Sequence, residues 1–294
     1  MRRLSMLSLA LLMGGAVLSW IAGSYLVAPT QHPVGPAADL DARAVLLPLE
    51  HGSSVAGWFV PGKGRGTILL LHGIRADRRQ MLGRARFLTA AGYGVLLIDL
   101  PGHGASHAPA ITFGLREADG VQAALGYLRA HAPGQPLGVI GVSLGAASFM
   151  LCKTCPQVDA VVLESMYPTI DEAVEDRLRM RAGMLAVPLS KLLLWQLPMR
   201  LDIQTRQLRP IEAMAGLRAP VLVASGDQDQ QTTIVETRRI FALAPQPKAL
   251  WEVPGAAHVD LHRYTPADYE ARIGAFFANS FAARMALVSS PSAP

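Results

Sequence analysis

From residue 44 onward, short and almost unbroken apolar runs alternate with longer stretches whose apolar positions recur every three or four residues. The runs at 44–49 (AVLLPL), 54–60 (SVAGWFV), 67–71 (TILLL), 94–99 (GVLLID), 137–142 (LGVIGV), 159–163 (DAVVL), 220–225 (PVLVAS) and 248–253 (KALWEV) predict eight strands. The middle runs have no polar alternation, which suits a parallel sheet covered on both faces. Helical periodicity predicts helices near 77–91, 115–131, 144–154, 232–244 and 267–279. Strands alternating with helices, after a hairpin-like opening pair, predict an α/β domain. Its sheet is mostly parallel and eight-stranded, with helices on both faces.

Three segments depart from this alternation. At the N-terminus, Leu4 to Ala28 is 25 residues of Leu, Ala, Met, Val and small residues, preceded by Arg2 and Arg3 and followed by no further charge until Asp39. A signal-peptide core needs only about 7–15 apolar residues and a spanning helix about 20. Residues 1–30 are therefore expected to be an uncleaved membrane anchor, with cleavage after Ser24 as the alternative. Trp20 and Tyr25 fall at the outer interface, and the basic start keeps the N-terminus inside and sends the rest out. Residues 31–41 read as a Pro-rich linker to a domain over 42–281. Between the sixth and seventh strands, about 165–219, lies an insertion broken by Pro168, Pro188 and Pro198. It is expected to be helical and either to add packing or to cap a pocket. Leu192, Leu193, Leu194, Trp195 and Leu197 would line an apolar cavity or touch a bilayer. Residues 282–294 read as a flexible tail.

Charge and cysteine usage remove some functions. The net charge is +5, and of 27 basic residues only Lys63, Lys153, Lys191 and Lys248 are lysines. The arginines (Arg75, Arg78, Arg79, Arg84 and Arg86; Arg177, Arg179 and Arg181) are scattered among Ala, Leu and Met rather than grouped with aromatics. They read as solvated helix faces, and no nucleic-acid partner is expected. Cys152 lies roughly nine residues into the helix predicted after the fifth strand, not at its N-terminus where the first thiol of a redox C-x-x-C belongs. Cys152 and Cys155 are expected to be structural, as packing residues or an incidental bridge. Two cysteines cannot close a tetrahedral zinc site, H-E-x-x-H is absent, and neither metal nor cofactor is expected.

Candidate chemistry centres on "GVSLG", residues 141–145. A bare G-x-S-x-G arises by chance in roughly one of eight chains of this composition. Here it follows a strand and opens a helix, the context that lifts a serine hydroxyl above a sheet edge as a nucleophile. Gly141 and Gly145 suit a turn with no room for side chains. A serine needs a base and an orienting acid, expected later in the chain in the order acid, then histidine. "SGDQD" supplies Asp229, favoured over Asp227, which would shape the turn; Glu164 is a distant alternative. "PGAAH" supplies His258, with His262 as its nearest competitor. The main-chain N–H groups of Ile74 and Leu144 would stabilise an oxyanion. His72 and His103 read as loop-shaping residues.

Taken together and in order, "LLHG", "DLPGHGAS", "GVSLG", "SGDQD" and "PGAAH" resemble the α/β-hydrolase superfamily over about residues 42–280. The nearest resemblance is to membrane-anchored or exported bacterial serine hydrolases of the peptidase S9/S33-like type. One departure is "QDQQTTIVE" after the acid, where such proteins often carry Val-Pro. The resemblance implies the α/β-hydrolase fold with a helical cap, and a triad of Ser143, Asp229 and His258. It implies a serine hydrolase acting on a hydrophobic carboxylic ester or thioester. An amide or peptide substrate, and a silent membrane-tethered binding protein, are the alternatives. The catalytic domain is expected outside the cytoplasmic membrane.

Overall fold

The computed structural model describes residues 2–37 and 39–289. Its strands are β1 (Thr30–Gln31), β2 (Arg43–Pro48), β3 (Ser54–Val60), β4 (Thr67–Leu71), β5 (Gly94–Ile98), β6 (His103–Gly104), β7 (Leu137–Val142), β8 (Ala160–Glu164), β9 (Val221–Gly226) and β10 (Lys248–Val253). The helices are α1 (Arg2–Val27), α2 (Leu82–Ala90), α3 (Glu117–His131), α4 (Leu144–Leu151), α5 (Ile170–Ala182), α6 (Ala186–Leu194), α7 (Leu197–Leu201), α8 (Ile234–Leu243), α9 (Leu261–Tyr264) and α10 (Pro266–Ser289).

Eight strands form one sheet in the order β10-β9-β8-β7-β4-β5-β3-β2. β2 and β3 pair antiparallel, as does β3 with β5, while the other neighbours run parallel. This is the mostly parallel sheet that the apolar runs require. Successive side chains on a strand point to opposite faces, and the core divides accordingly. Leu69, Leu71 and Val139 pack with α3, α4 and α8 on one face. Ile68, Leu70 and Ile140 pack with α2 and α10 on the other. Because the parallel strands end on one edge, the loops after β4, β7, β8, β9 and β10 gather there, the usual place for a site on such a sheet.

Several local expectations change. The helix after β7 stops at Leu151, and Cys152 and Cys155 beyond it form a disulfide. The last helix continues to Ser289 instead of stopping near 279. Arg284, inside the stretch expected to be loose, reaches Asp159 at 2.9 Å; residues 290–294 lie outside the described residues. The start of the Pro-rich segment is bonded to the domain, with β1 pairing parallel to β6 and His32 bonding Asp77 at 3.0 Å.

The arginines require the largest correction. Arg79, Arg86, Arg179 and Arg181 are exposed, but Arg78 and Arg84 are buried and Arg177 is half-buried. Arg78 donates to Asp99 at 2.9 Å and lies over the Trp58 ring. Arg84 bridges Glu164 at 2.6 Å and Asp260 at 2.8 Å and donates to Tyr269 at 2.9 Å. Their carboxylate partners come from distant parts of the chain, so the local pattern around each arginine looks like an ordinary solvated helix.

Between β8 and β9 the chain forms α5, α6, α7 and three short 3-10 stretches. Gly183, at φ 53°, folds the chain back so that α5 and α6 pack as a helical hairpin. A buried apolar cluster of Ile170, Leu194, Leu197, Leu201, Ile203 and Leu208 holds this insertion together.

Candidate active site

Ser143 stands at the junction of β7 and α4 with φ 49° and ψ −107°. For a residue with a Cβ, such a conformation costs about 1–3 kcal/mol and persists only where its surroundings enforce it. The glycines on either side show what enforces it. A Cβ at Gly141 would come within 2.6 Å of the Ala146 backbone, and one at Gly145 within 2.6 Å of the Leu71 carbonyl oxygen. The Ser143 N–H donates to the Glu164 carbonyl at 2.8 Å and its own carbonyl accepts from Ala147 at 3.0 Å, so both sides of the turn are pinned. Ser143 is 3% exposed, and its Oγ has no hydrogen-bond partner among the described residues.

The loops after β9 and β10 are drawn together by close packing. Gly226, the last residue of β9, lies so near Ala256 that a Cβ there would sit 2.0 Å from the Ala256 carbonyl oxygen. Gln228 N–H donates to that same oxygen at 2.9 Å, and Asp227 accepts from the Gly255 N–H at 2.8 Å across the two loops. As a result Asp229 Oδ2 meets His258 Nδ1 at 2.7 Å. The other carboxylate oxygen, Oδ1, accepts from the N–H groups of Gln231 and Thr232 at 2.8 and 2.9 Å. Burial pushes the Asp229 carboxyl up, but the bond and charge of His258 and the two N–H donors outweigh it and hold the group below the usual Asp value. An ionised Asp229 therefore accepts from Nδ1–H, leaving Nε2 of His258 as the ring nitrogen with a lone pair.

The competing residues are engaged elsewhere. His262 bonds Glu270 at 2.9 Å and stacks on Phe87. Glu164 is committed to Arg84 and Tyr269. His72 accepts from the Leu100 N–H through Nε2 at 2.9 Å, so its Nδ1 carries the proton and donates to the Gly73 carbonyl at 2.7 Å. Burial pushes its ring down to about 4 and keeps it neutral. His103, edge-on to His72, is likewise lowered to about 4, chiefly by burial. Both histidines shape the turn after β4 and the loop after β5. The N–H groups of Ile74 and Leu144 donate to no other oxygen among the described residues.

Three parts of this edge have no counterpart in the sequence reading. Ser225 Oγ lies 3.4 Å from Asp229 Oδ2. Ser165, after β8, has a positive φ of 45° beneath Thr232, whose hydroxyl reaches its carbonyl. Arg177, from the insertion, carries a guanidinium close enough to interact electrostatically with Asp229 and Tyr167. Only the first lies near its partner in sequence, four residues before Asp229 at the end of the same apolar run; Ser165 and Thr232 come together across separate loops. Among the described residues no group of three or more His, Cys, Asp or Glu is placed to hold a metal ion.

The model of the alpha/beta hydrolase family matches residues 68–272, and the chain belongs to that family. It is 28% identical over 239 residues to uncharacterized proteins of two Mycobacterium tuberculosis strains, covering 79% of this chain and 78% of theirs. Among solved structures it is similar to the Pyrococcus furiosus esterase Pf2001, with a TM-score of 0.70 at 20% identity, over 86% of this chain and 99% of that one. It is also similar to a thermophilic esterase from Thermogutta terrifontis, with a TM-score of 0.61 at 18% identity, over 82% and 100% of the two chains. At these identities the structural likeness concerns the fold.

Proposed function

We propose that the protein is a serine hydrolase that cleaves a carboxylic ester or thioester through an acyl-enzyme. The observation that carries this reading is the strained Ser143 on the sheet edge that also presents His258 paired to Asp229. His258 Nε2 takes the Ser143 hydroxyl proton as Oγ attacks the carbonyl carbon. The N–H groups of Ile74 and Leu144 stabilise the resulting oxyanion. Collapse expels the alcohol or thiol, which receives the proton from His258. Water, deprotonated by the same nitrogen, then releases the acid. Asp229 holds the imidazole tautomer and stabilises its charged form. The open Oγ contact is no obstacle, since such contacts often tighten only with substrate bound.

Esterase relatives of the same fold support an ester over other acyl substrates, and the apolar insertion supports a hydrophobic acyl group. The 26-residue apolar helix α1 supports an anchored enzyme of the exported bacterial type. Ser143→Ala should lower turnover of a chromogenic ester by on the order of 10⁴-fold or more while the circular dichroism spectrum is unchanged. Turnover within threefold of the parent would reject the mechanism.

A further inference from the structure

The insertion carries an apolar surface that the protein itself does not cover. The segment Ile170–Leu201 is apolar enough for a membrane span, and only 28% of its most apolar stretch is buried. It is not a span, because Gly183 folds it into a hairpin whose arms, α5 and α6, have 13 and 9 residues, short of the roughly 20 a crossing needs. In α6 the usual amphipathic order is inverted. Ala186, Ser190 and Leu194 face the protein, while Val187, Leu189 and Leu192 face out, continued by Trp195 at 69% exposure and Met199. The hairpin tip carries Met184, which is 97% exposed, and Leu185.

The position of this surface relative to α1 indicates what covers it. Gln196 donates to Ser19 Oγ at 2.8 Å and packs on Gly23, where a Cβ would sit 2.3 Å from its side-chain oxygen. Arg200, one helical turn on, donates to Ser24 Oγ at 2.9 Å and lies over the Trp20 ring at 3.8 Å. One turn of the insertion thus shifts the contact by about one residue along α1, so the α6–α7 segment crosses α1 steeply. The crossing lies about 26–33 Å along α1 from Arg2 at 1.5 Å per residue, close to the roughly 30 Å thickness of a hydrocarbon core. With Arg2 at the inner interface, α6 lies across the outer one.

We propose that the apolar face of α6 and the tip Met184–Leu185 are seated in the outer interface of the bilayer that α1 crosses, as an in-plane amphipathic segment beside the anchor. Trp20, Tyr25 and Trp195 sit at the level where aromatic rings gather. Arg179, Arg181 and Lys191 are exposed around the hairpin, with stems long enough to keep their charges among anionic headgroups. The insertion then forms a cap whose outer side is lipid, so that an acyl ester reaches the sheet edge from the membrane rather than from bulk water. This inference rests on the reading of α1 as an anchor.

The test uses the full chain in vesicles of phosphatidylcholine and phosphatidylglycerol. Cys152 and Cys155 are bonded to each other, so single cysteines at Met184→Cys, Val17→Cys and Lys63→Cys accept a fluorophore selectively. Quenching by lipid-attached bromine is compared with quenching by aqueous iodide. The labels at 184 and 17 should be quenched several-fold more by bromolipid, and the label at 63 by iodide. A label at 17 in lipid with one at 184 in water would overturn the seated cap and leave the anchor standing. A label at 17 in water would overturn the anchor and the seated cap together.

Discussion

At the scale of single residues, the structure separates side chains that share a sequence context. Asp227 and Asp229 are two positions apart, yet one ties two loops together and the other meets His258. Buried arginines show the same effect on a larger scale. Arg84 is fully buried with Glu164, Asp260 and Tyr269 around it, and Asp260 also caps α9, two residues beyond His258. Arg84 therefore links α2, β8 and the histidine loop. Replacing one member of a buried ion cluster leaves the rest uncompensated, at a cost of about 3–5 kcal/mol. Arg84→Met should lower unfolding stability by that amount in urea titrations. A change below about 0.5 kcal/mol, the range of ordinary surface substitutions, would show that Arg84 is a spectator. The pairing of Asp229 with His258 was legible because each follows an apolar run and a glycine-bearing turn. The role of Arg84 was not, because its partners lie 80, 176 and 185 residues away.

Secondary-structure elements meet at a second charged contact, between the insertion and the domain. Asp176 on α5 faces Glu236 on α8, which also closes a capping box with Thr233. Burial, then the nearby Asp176 charge, pushes Glu236 up to about 7, and Asp176 is raised as well, mainly by burial, with Arg179 opposing and Glu172 and Glu175 adding to it. The folded chain holds this proton more tightly than the unfolded chain, so the contribution is full below the ordinary Glu range and is lost as pH rises through about 7. Glu236→Gln keeps an acceptor for the Thr233 N–H and removes the charge. It should raise the melting temperature at pH 8 by about 2–4 °C and by clearly less at pH 5. An equal shift at both pH values would contradict the carboxyl-pair account. The strands themselves were readable almost to the residue, since unbroken apolar runs have few alternatives in a covered parallel sheet. The ends of α4 and α10 were misplaced, because helix ends depend on tertiary contacts such as the Cys152–Cys155 bridge and the Arg284–Asp159 pair.

For the whole molecule, the sheet edge, the insertion and α1 form a continuous structure. β1 pairs with β6 beside the edge, and Arg75, just after Ile74, lies over the Tyr25 ring of α1. On the proposed reading of α1 as an anchor, contacts this close would orient the domain as well as tether it, which the apolar N-terminal run alone could not reveal. The central claim is that Ser143 is an activated nucleophile. Its most direct test is labelling of the full-length protein, in lipid vesicles, by a fluorophosphonate, with the modified residue located by mass spectrometry. Label on Ser143 that is lost in His258→Ala is the expected result. Label that persists unchanged in His258→Ala, or that falls on another serine, would contradict the account.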